Sequence, residues 1–487
     1  MKLAEMTALQ TGRLIKERKL SCVEAAEEAL RTIRDTDGRI NAYVTVTEKT
    51  ALSRAKQVQE WLDAGETLSP LAGVPVSVKD NICTKGVTTT CASKILENFK
   101  PPYNATVVEK LDAAGAVLIG KLNMDEFSMG GSTETSHFGT AKNPWDTAYV
   151  PGGSSGGAAA AVAAGEAMYA IASDTGGSIR QPCAFCGVSG IKPTYGGVSR
   201  YGLIPYACSL DQIGPIGKDI RDCAAALSLI SGYDEKDSTS VNRPAFDFSD
   251  AFTGEVKGLK IGLFCPPDGV DSVVSETVEQ TAKLFESLGA VIEPIELPVL
   301  EYAVPAYYII ACAEASSNLS RYDGIKYGYR GSNADHLSDL YISSRSEGFG
   351  METKRRIMLG AFTLSSGYYD AYYRKALQVR GLIQQSFDQA FSRCDMILSP
   401  VAPTVAYKIG ENISDPLKMY LGDVFTVSAN LAGLAGAAFP AGFDKSGMPV
   451  GVQLIGNTFS ENSLVRAADA FQQNTDYHKR RCEAWKP

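Results

Sequence analysis

Two stretches of the sequence decide how the chain is interpreted: P-G-G-S-S-G-G at 151–157 and D-T-G-G-S-I-R at 174–180. In both stretches the glycines cluster around serines, whereas a flexible linker would spread the two residue types evenly. A helix-like run and then a strand-like run separate Ser154 from Ser178. Such an arrangement can fold back on itself, so we expect both serines to meet at one end of a sheet.

The sequence on either side of these stretches alternates between predicted helices and predicted strands. Ser21 and Glu24 form a capping box at the start of a helix. Short apolar strands are predicted at 73–78 and 116–120, with a helix at 106–114 between them. Further helices are predicted at 50–64, 219–231, 272–288, 463–473 and, as several long helices, within 302–375; further strands are predicted at 259–264, 291–297, 396–399 and 450–455. The alternation predicts an α/β fold with a largely internal sheet.

The composition narrows the class of protein. With 487 residues, a hydrophobic content of 45% and a charged content of 21%, the chain is typical of globular proteins. Its net charge of −8 provides no basic face for a phosphate backbone, so we expect another chain to hold any nucleic acid.

No segment predicts export or a membrane span. Residues 1–19 lack the apolar core of a signal peptide. The most apolar stretch, 158–172, is interrupted by a glycine and a glutamate and falls short of the roughly 20 residues that cross a bilayer. We therefore expect a cytoplasmic protein with no membrane contact. The 11 cysteines fit reduced thiols, and we expect Cys183 and Cys186 to be small buried residues, not metal ligands.

Glycine- and serine-rich turns can bind phosphate or carry a nucleophile. Neither stretch has the G-x-x-x-x-G-K-[ST] or G-x-G-x-x-G pattern of phosphate sites. A serine–histidine–acid hydrolase needs a suitable histidine, and the chain has His137, His336 and His478. We expect the last two to be solvated and His137 to be structural.

A lysine can replace histidine as the base if burial lowers its pKa toward neutrality. Lys79 directly follows a predicted apolar strand, where such burial is expected. Taken alone, a Lys-Asp pair in that position would more often be interpreted as a surface lysine at a strand end.

Together, Lys79 and the two serine-rich stretches resemble the amidase signature family over nearly the whole chain. The resemblance implies that Ser178 is the nucleophile, that Ser154 relays its proton after a cis peptide, and that Lys79 is the general base. The implied oxyanion hole consists of the backbone N–H groups of Thr175, Gly176, Gly177 and Ser178. Asp174 and Arg180 are expected to hold the loop by charge-assisted hydrogen bonds. No metal ligand is predicted.

The same resemblance implies the architecture. We expect residues 1–487 to form a single amidase signature domain, an α/β fold whose central mixed β-sheet is covered by helices on both faces. Within it, 1–65 is an N-terminal helical segment and 71–220 is the catalytic core.

Several longer strings resemble one branch of the family, the A subunits of glutamyl-tRNA(Gln)/aspartyl-tRNA(Asn) amidotransferases. These strings are K-L-N-M-D-E-F at 121–127, S-L-D-Q-I-G-P at 209–215, E-A-S-S-N-L-S-R at 314–321, R-R-I-M-L-G at 355–360 and S-S-G-Y-Y-D-A-Y-Y at 365–373. Together they are more specific than the serines and the lysine, which family members use to cleave many different amides.

The branch implies a glutamine pocket. Arg356 would bind the α-carboxylate of glutamine and Asp423 its α-ammonium group. Tyr307 would contribute to the pocket, with the adjacent Tyr308 as the alternative. The other implied pocket residues are Ser128, Met129 and Gly130. Without the resemblance, Arg356 would be interpreted as a surface cation on a helix.

The implied function is hydrolysis of glutamine and delivery of the ammonia to a partner subunit. That partner would bind tRNA and use ATP and Mg²⁺ to convert Glu-tRNA(Gln), and possibly Asp-tRNA(Asn), into the amidated product. A second, small subunit completes the expected heterotrimer, and this chain itself is expected to hold no cofactor. The alternatives are a stand-alone amidase acting on small acylamides and a non-catalytic scaffold built on an amidase fold.

Overall fold

A single mixed sheet forms the centre of the molecule. The structure is a computed structural model and describes residues 3–264, 269–332 and 335–482. The strands in this part of the chain are β1 (Tyr43–Val46), β2 (Pro75–Lys79), β3 (Val117–Leu122), β4 (Tyr169–Asp174), β5 (Ser189–Lys192), β6 (Gln212–Gly217), β7 (Lys260–Leu263), β8 (Val291–Pro294), β9 (Met396–Pro400), β10 (Ala435–Phe443) and β11 (Pro449–Gly456). They lie in the order β1-β3-β2-β4-β6-β5-β10-β11-β9-β7-β8.

The helices complete the α/β architecture. They are α1 (Ala8–Lys16), α2 (Cys22–Ile40), α3 (Glu48–Asp63), α4 (Thr106–Ala113), α5 (Gly156–Ala163), α6 (Arg180–Cys186), α7 (Ile220–Ile230), α8 (Ser272–Ser287), α9 (Ala303–Leu319), α10 (Leu337–Gly348), α11 (Met351–Leu364), α12 (Lys375–Phe391), α13 (Pro416–Leu421), α14 (Val427–Leu431) and α15 (Glu461–Gln473). Every residue of β2, β4, β6, β9 and β11 is buried, so both faces of the sheet are covered. The predicted fold class is confirmed.

The parallel part of the sheet positions the candidate site. β2 pairs in parallel with both β3 and β4. Carboxyl ends of parallel strands meet at the same edge of a sheet, so Lys79, the last residue of β2, lies near the end of β4. β4 ends at Asp174, where the second serine-rich stretch begins, and α5 begins within the first stretch, at Gly156.

Most predicted elements are found close to their predicted bounds. The capping box of Ser21 and Glu24 is present at the start of α2, because each residue satisfies the other's backbone N–H. The region predicted as long helices contains α9, α10 and α11 and, after them, a π-helical segment at Tyr369–Arg374. No helix in the described ranges is long and apolar enough to cross a membrane.

Four strands were missing from the prediction: β1, β5, β6 and β10. β6 reads Q-I-G-P-I-G and β10 reads A-G-A-A-F-P-A-G-F, compositions that disfavour strands when considered locally. Both are central strands, and antiparallel neighbours on either side hold them in place. Their strand structure therefore depends on the surrounding sheet and not on local propensity.

Candidate active site

Lys79 is completely buried at the end of β2 and contacts the first serine-rich stretch. Its Nζ donates a hydrogen bond of 2.7 Å to Ser154 Oγ and a longer one of 3.4 Å to the carbonyl oxygen of Ser173. Burial lowers the pKa of Lys79 to about 7, although the nearby carboxylate of Asp125 acts in the opposite direction. A large share of the lysine is therefore a neutral amine near pH 7. The predicted burial of Lys79 is confirmed.

The two serine-rich stretches meet, as the sequence predicts. The peptide bond between Gly153 and Ser154 is cis, as the resemblance implied. The N–H of Ser155 donates to the carbonyl oxygen of Ser178 at 3.2 Å, which joins the two stretches. Ser154 is fully buried, whereas Ser178 keeps 8% of its surface exposed. Of the two serines, Ser178 is therefore the one that an external substrate can reach.

A buried ion pair holds the second stretch in place. Arg180 Nε donates to Asp174 Oδ2 at 3.1 Å, and neither side chain is exposed. Burial acts to raise the pKa of Asp174, but the Arg180 guanidinium outweighs burial and holds this pKa well below its usual range. Arg180 also donates to Asn430, Thr426 and Gln453. The structural role predicted for the Asp174–Arg180 pair is confirmed.

The loop between these two residues contains the N–H groups of the predicted oxyanion hole. The N–H of Gly177 donates to Asp174 Oδ1 at 2.9 Å, so this group stabilises the loop itself. Gly177 has φ +135°, a conformation that favours glycine, and a Cβ at this position would collide with Thr426. The predicted oxyanion hole of Thr175, Gly176, Gly177 and Ser178 stays a prediction.

The pocket residues predicted at Ser128, Met129 and Gly130 adjoin the same centre. Asn81 Nδ2 donates to Ser173 Oγ at 2.9 Å and to Ser128 Oγ at 3.3 Å, so Ser128 lies near the end of β4. Ser128 has φ +64°, and Met129 is buried. A Cβ on Gly130 would collide with the carboxylate of Asp125.

Asp125 is a site residue that the sequence reasoning missed. Its N–H donates to the carbonyl oxygen of Ser154 at 3.1 Å, and its buried carboxylate accepts from the N–H of Ser132 at 3.2 Å and the hydroxyl of Thr135 at 2.9 Å. A Cβ on Gly153 would collide with this carboxylate, which therefore packs against the serine-rich stretch. The string K-L-N-M-D-E-F contained the residue but did not show what it would contact.

Arg356 is buried inside a cluster of tyrosines, so its interpretation as a surface cation is wrong. Its Nε donates to Glu352 Oε1 at 2.8 Å and its Nη1 to the hydroxyl of Tyr206 at 2.8 Å. Its guanidinium carbon lies 5.1 Å from the ring centre of Tyr308 and 5.3 Å from that of Tyr420. Its Nη2 is buried and has no partner among the described residues. A buried donor without a partner is costly, and it marks a position where a ligand can accept a hydrogen bond.

Asp423 faces the same cluster. Tyr308 donates from its hydroxyl to Asp423 Oδ2 at 2.8 Å, and burial raises the pKa of Asp423 to about 7. Tyr308 stacks on Tyr420 with ring centres 3.9 Å apart. Both adjacent tyrosines therefore belong to the site, because Tyr308 binds Asp423 while Tyr307 packs over Gly176, where a Cβ would strike its ring.

Thr426 links the cluster around Arg356 and Asp423 to the loop that carries Ser178. Thr426 Oγ1 donates to the carbonyl oxygen of Gly176 at 2.6 Å and to that of Asp423 at 3.1 Å. We call Lys79, Ser154 and Ser178 the catalytic end of the site, and Arg356 and Asp423 with their tyrosines the recognition end.

The remaining candidates lie elsewhere. None of the three histidines forms a hydrogen bond with the catalytic end within the described ranges, and His137 and His336 are exposed. The prediction that His478 is solvated is wrong, because this side chain is half-buried and burial lowers its pKa to about 4. Cys183 and Cys186 are buried on α6, as predicted. In the part of the chain that the structure describes, no group of three or more His, Cys, Asp or Glu is arranged to hold a metal ion.

Comparisons with known proteins agree with this geometry. The sequence model of the family described as Amidase matches residues 24–465. The chain is 56% identical over 480 residues to the A subunit of the glutamyl-tRNA(Gln) amidotransferase of Agathobacter rectalis, covering 98% of this chain and 95% of the relative.

Solved structures are similar along the whole chain. The crystal structure of the A subunit of glutamyl-tRNA(Gln) amidotransferase from Thermotoga maritima has a TM-score of 0.81 and 43% identity, over 98% of this chain and 96% of that one. A bacterial aryl acylamidase of the amidase signature family has a TM-score of 0.87 and 25% identity, over 99% of each chain. The fold, the buried lysine–serine pair and the family match lead to one conclusion: the chain belongs to the amidase signature family.

Proposed function

We propose that this chain is the glutaminase subunit of a tRNA-dependent amidotransferase. The observation that carries the proposal is the link, through Thr426, between two clusters: the hydrogen-bonded Lys79 and Ser154 beside Ser178, and the buried side chains of Arg356 and Asp423. An amidase for simple acylamides needs the first cluster but has no use for the second. Glutamine needs both, because its α-carboxylate and α-ammonium group lie at the opposite end from its reactive amide.

The catalytic end can activate a serine without histidine. As a neutral amine, Lys79 Nζ takes a proton from Ser154 Oγ, and Ser154 in turn takes one from Ser178 Oγ; a hydroxyl can do both because it donates and accepts. Ser178 Oγ then attacks the side-chain amide carbon of glutamine. Backbone N–H groups of the Gly176 loop stabilise the resulting oxyanion, an effect worth about 3–4 kcal/mol per donor in serine proteases.

The same proton path then runs in reverse. The Lys79 ammonium returns a proton through Ser154 to the leaving nitrogen, and ammonia departs while the C–N bond breaks. A water molecule attacks the γ-glutamyl ester on Ser178, again with Lys79 and Ser154 removing its proton. Glutamate leaves and the Ser178 hydroxyl is restored.

The recognition end fits the α-groups of an amino acid. The unpartnered Nη2 of Arg356 can donate to the α-carboxylate, while Glu352 and Tyr206 hold the rest of the guanidinium in place. The Asp423 carboxylate, oriented by Tyr308, can pair with the α-ammonium group. Tyr307 packs between this end and the Gly176 loop, where the side chain of glutamine would pass.

The ammonia would be used by a partner protein. The relatives at 56% and 43% identity are both named as the A subunit of glutamyl-tRNA(Gln) amidotransferase. We propose that a second subunit binds the tRNA and uses ATP and Mg²⁺ to amidate the misacylated glutamate, and that a small third subunit completes the complex. The net charge of −8 supports the proposal that the partner, and not this chain, makes most of the contacts with the tRNA.

Ammonia release tests the proposal. The protein, with any subunits that copurify, is supplied with glutamine or with simple acylamides and anilides at equal concentration. We expect glutamine to be the preferred substrate by kcat/KM. A preference for the simple amides would instead support a stand-alone amidase similar in activity to the aryl acylamidase neighbour.

A further inference from the structure

A second cleft of about 1070 Å³ lies outside the catalytic and recognition ends. Residues from two segments, 94–103 and 317–330, which we call its two walls, line it together with Cys83, Leu203, Ile204 and Pro205. Lys79, Ser154, Ser178, Arg356 and Asp423 do not line it. Its volume slightly exceeds the usual range of about 300–1,000 Å³ for small-molecule sites.

Backbone and ring contacts hold the two walls in position. The N–H of Tyr329 donates to the carbonyl oxygen of Ile95 at 2.7 Å, and Lys94 Nζ lies 4.2 Å from the ring centre of Tyr329. Tyr322 packs on Phe127 with ring centres 5.3 Å apart, and Arg345 Nη1 donates to the carbonyl oxygen of Tyr322 at 2.8 Å. The cleft is therefore formed before any ligand arrives.

The lining of the cleft is basic although the chain is acidic. Its cations are Lys94, Arg321, Lys326 and Arg330, and Glu97 is the one carboxylate among its lining residues. None of the four cations forms an ion pair with a residue in the described ranges. Unpaired cations that converge on a cavity attract a polyanion, and the walls focus their field.

The same cleft carries exposed aromatic rings. Tyr327 is 58% exposed and Tyr103 is 41% exposed, and both line the cleft together with the partly buried Phe99. Cations that bind phosphate beside rings that stack on planar groups are the combination by which proteins hold nucleotides and single-stranded nucleic acid. An inorganic anion would leave the rings unused and would fill little of the volume.

We propose that this cleft binds a nucleotide, with the phosphate on Lys326 and Arg330 and the base against Tyr327 or Tyr103. The nucleotide can come from two sources, a free nucleotide or the single-stranded end of an RNA. The proposal does not depend on the glutaminase assignment, since it uses none of the residues of that site.

Direct binding of two probes tests the proposal and separates the sources. Adenosine monophosphate and a fluorescent single-stranded tetra-adenylate RNA are titrated into the full-length protein, with any subunits that copurify, at low salt. We expect saturable binding of at least one probe. Tighter binding of the RNA than of the mononucleotide identifies an RNA end as the ligand, whereas equal affinities identify a free nucleotide.

Variants locate the binding site. The double variant Lys326→Glu, Arg330→Glu should weaken binding by at least about tenfold, because two charge-assisted contacts become repulsions. Tyr327→Ala should weaken it by a smaller factor. The matched control is Lys49→Glu, Lys445→Glu, which reverses two exposed lysines away from the cleft and should leave binding and glutaminase activity unchanged.

Three results would overturn the proposal. The first is that neither probe binds, and the second is that both probes bind equally well to the cleft variant and to the control. The third is that a polyglutamate peptide displaces the RNA at equal concentration, which would assign the cleft to an acidic protein segment. A loss of glutaminase activity with binding intact would leave this inference standing and count against the proposed function alone.

Discussion

The catalytic end of the site is built on strands, whereas the recognition end is built on helices. Lys79 is the last residue of β2, and the Ser178 loop follows β4; both strands are fully buried. Arg356 is on α11, and Asp423 lies two residues after the end of α13. Both helices also carry exposed apolar side chains, including Met358 and Leu417, each 72% exposed.

The residues proposed for the reaction and those proposed for substrate recognition therefore lie on different kinds of secondary structure. The buried strands hold Lys79, the proposed base, near Ser154, its proposed relay, and burial lowers the pKa of the lysine. The helices hold an arginine among rings and carboxylates that can bind the α-groups of one particular amide. Changes at the catalytic end should therefore lower kcat, and changes at the recognition end should mainly raise KM.

The largest effect is expected at the nucleophile. Ser178→Ala should lower kcat for glutamine by at least about 10⁴-fold, because no other hydroxyl takes its place in the proton path. Steady-state ammonia release measures this loss. Ser392→Ala, a change on the exposed surface, is the control and should retain full activity. Substantial glutamine turnover by the Ser178→Ala protein would show that Ser178 is not the nucleophile.

The next largest effect is expected at the recognition end. Arg356→Ala should raise KM for glutamine roughly 10- to 100-fold with a smaller change in kcat, because a charged hydrogen bond to the substrate is lost. Lys354→Ala, on the same helix but outside the tyrosine cluster, should leave KM near its original value. If the arginine variant instead lost kcat at unchanged KM, the assignment of the α-carboxylate site would be wrong.

The pH profile should reveal the charge state of the catalytic end. Lys79 acts as a base only when neutral, and burial lowers its pKa to about 7, so kcat should fall as the pH drops below about 7. Asp125 acts to raise this pKa. Asp125→Asn should therefore move the acidic limb of kcat to lower pH, by roughly one unit.

Profiles of kcat measured from pH 5 to 9 test the direction of this shift. The range spans about two units on either side of the lysine pKa. Asp423 has a raised pKa of about 7 as well, but its loss of charge should affect KM and not kcat. A shift of the Asp125→Asn limb to higher pH would show that the carboxylate does not act on Lys79.

The smallest effect is expected from a hydroxyl that orients the recognition end. Tyr308→Phe removes the hydrogen bond to Asp423 and keeps the ring stacked on Tyr420. We expect KM to rise by about 2- to 10-fold, which corresponds to one hydrogen bond. Tyr302→Phe, at the exposed start of α9, is the control for removing a tyrosine hydroxyl.

The same contrast explains how much could be predicted from the sequence. The catalytic end is encoded in local strings, because glycines and serines must be adjacent for the backbone to turn there. The recognition end brings together residues far apart in the chain: Arg356 and Tyr206, which share a hydrogen bond, are 150 residues apart. Only the resemblance to a family placed Arg356 in the pocket.

Three features were beyond the sequence reasoning because they depend on tertiary contacts. Asp125 belongs to the site because its carboxylate packs against Gly153 in the folded protein. The hydrogen bond from the Gly177 N–H to Asp174 depends on the turn geometry of that loop. β10 is a central strand despite its alanines and glycines, because β5 and β11 flank it.

The proposed mechanism requires Ser178 to form a γ-glutamyl ester during glutamine hydrolysis. Rapid acid quenching of the protein during turnover, followed by mass spectrometry of its peptides, measures this intermediate directly. We expect the peptide containing Ser178 to gain the mass of one glutamyl group, and the Ser178→Ala protein to show no such gain. A glutamyl group on another residue, or its absence from Ser178 while ammonia is released in a single turnover, would show that Ser178 is not the nucleophile.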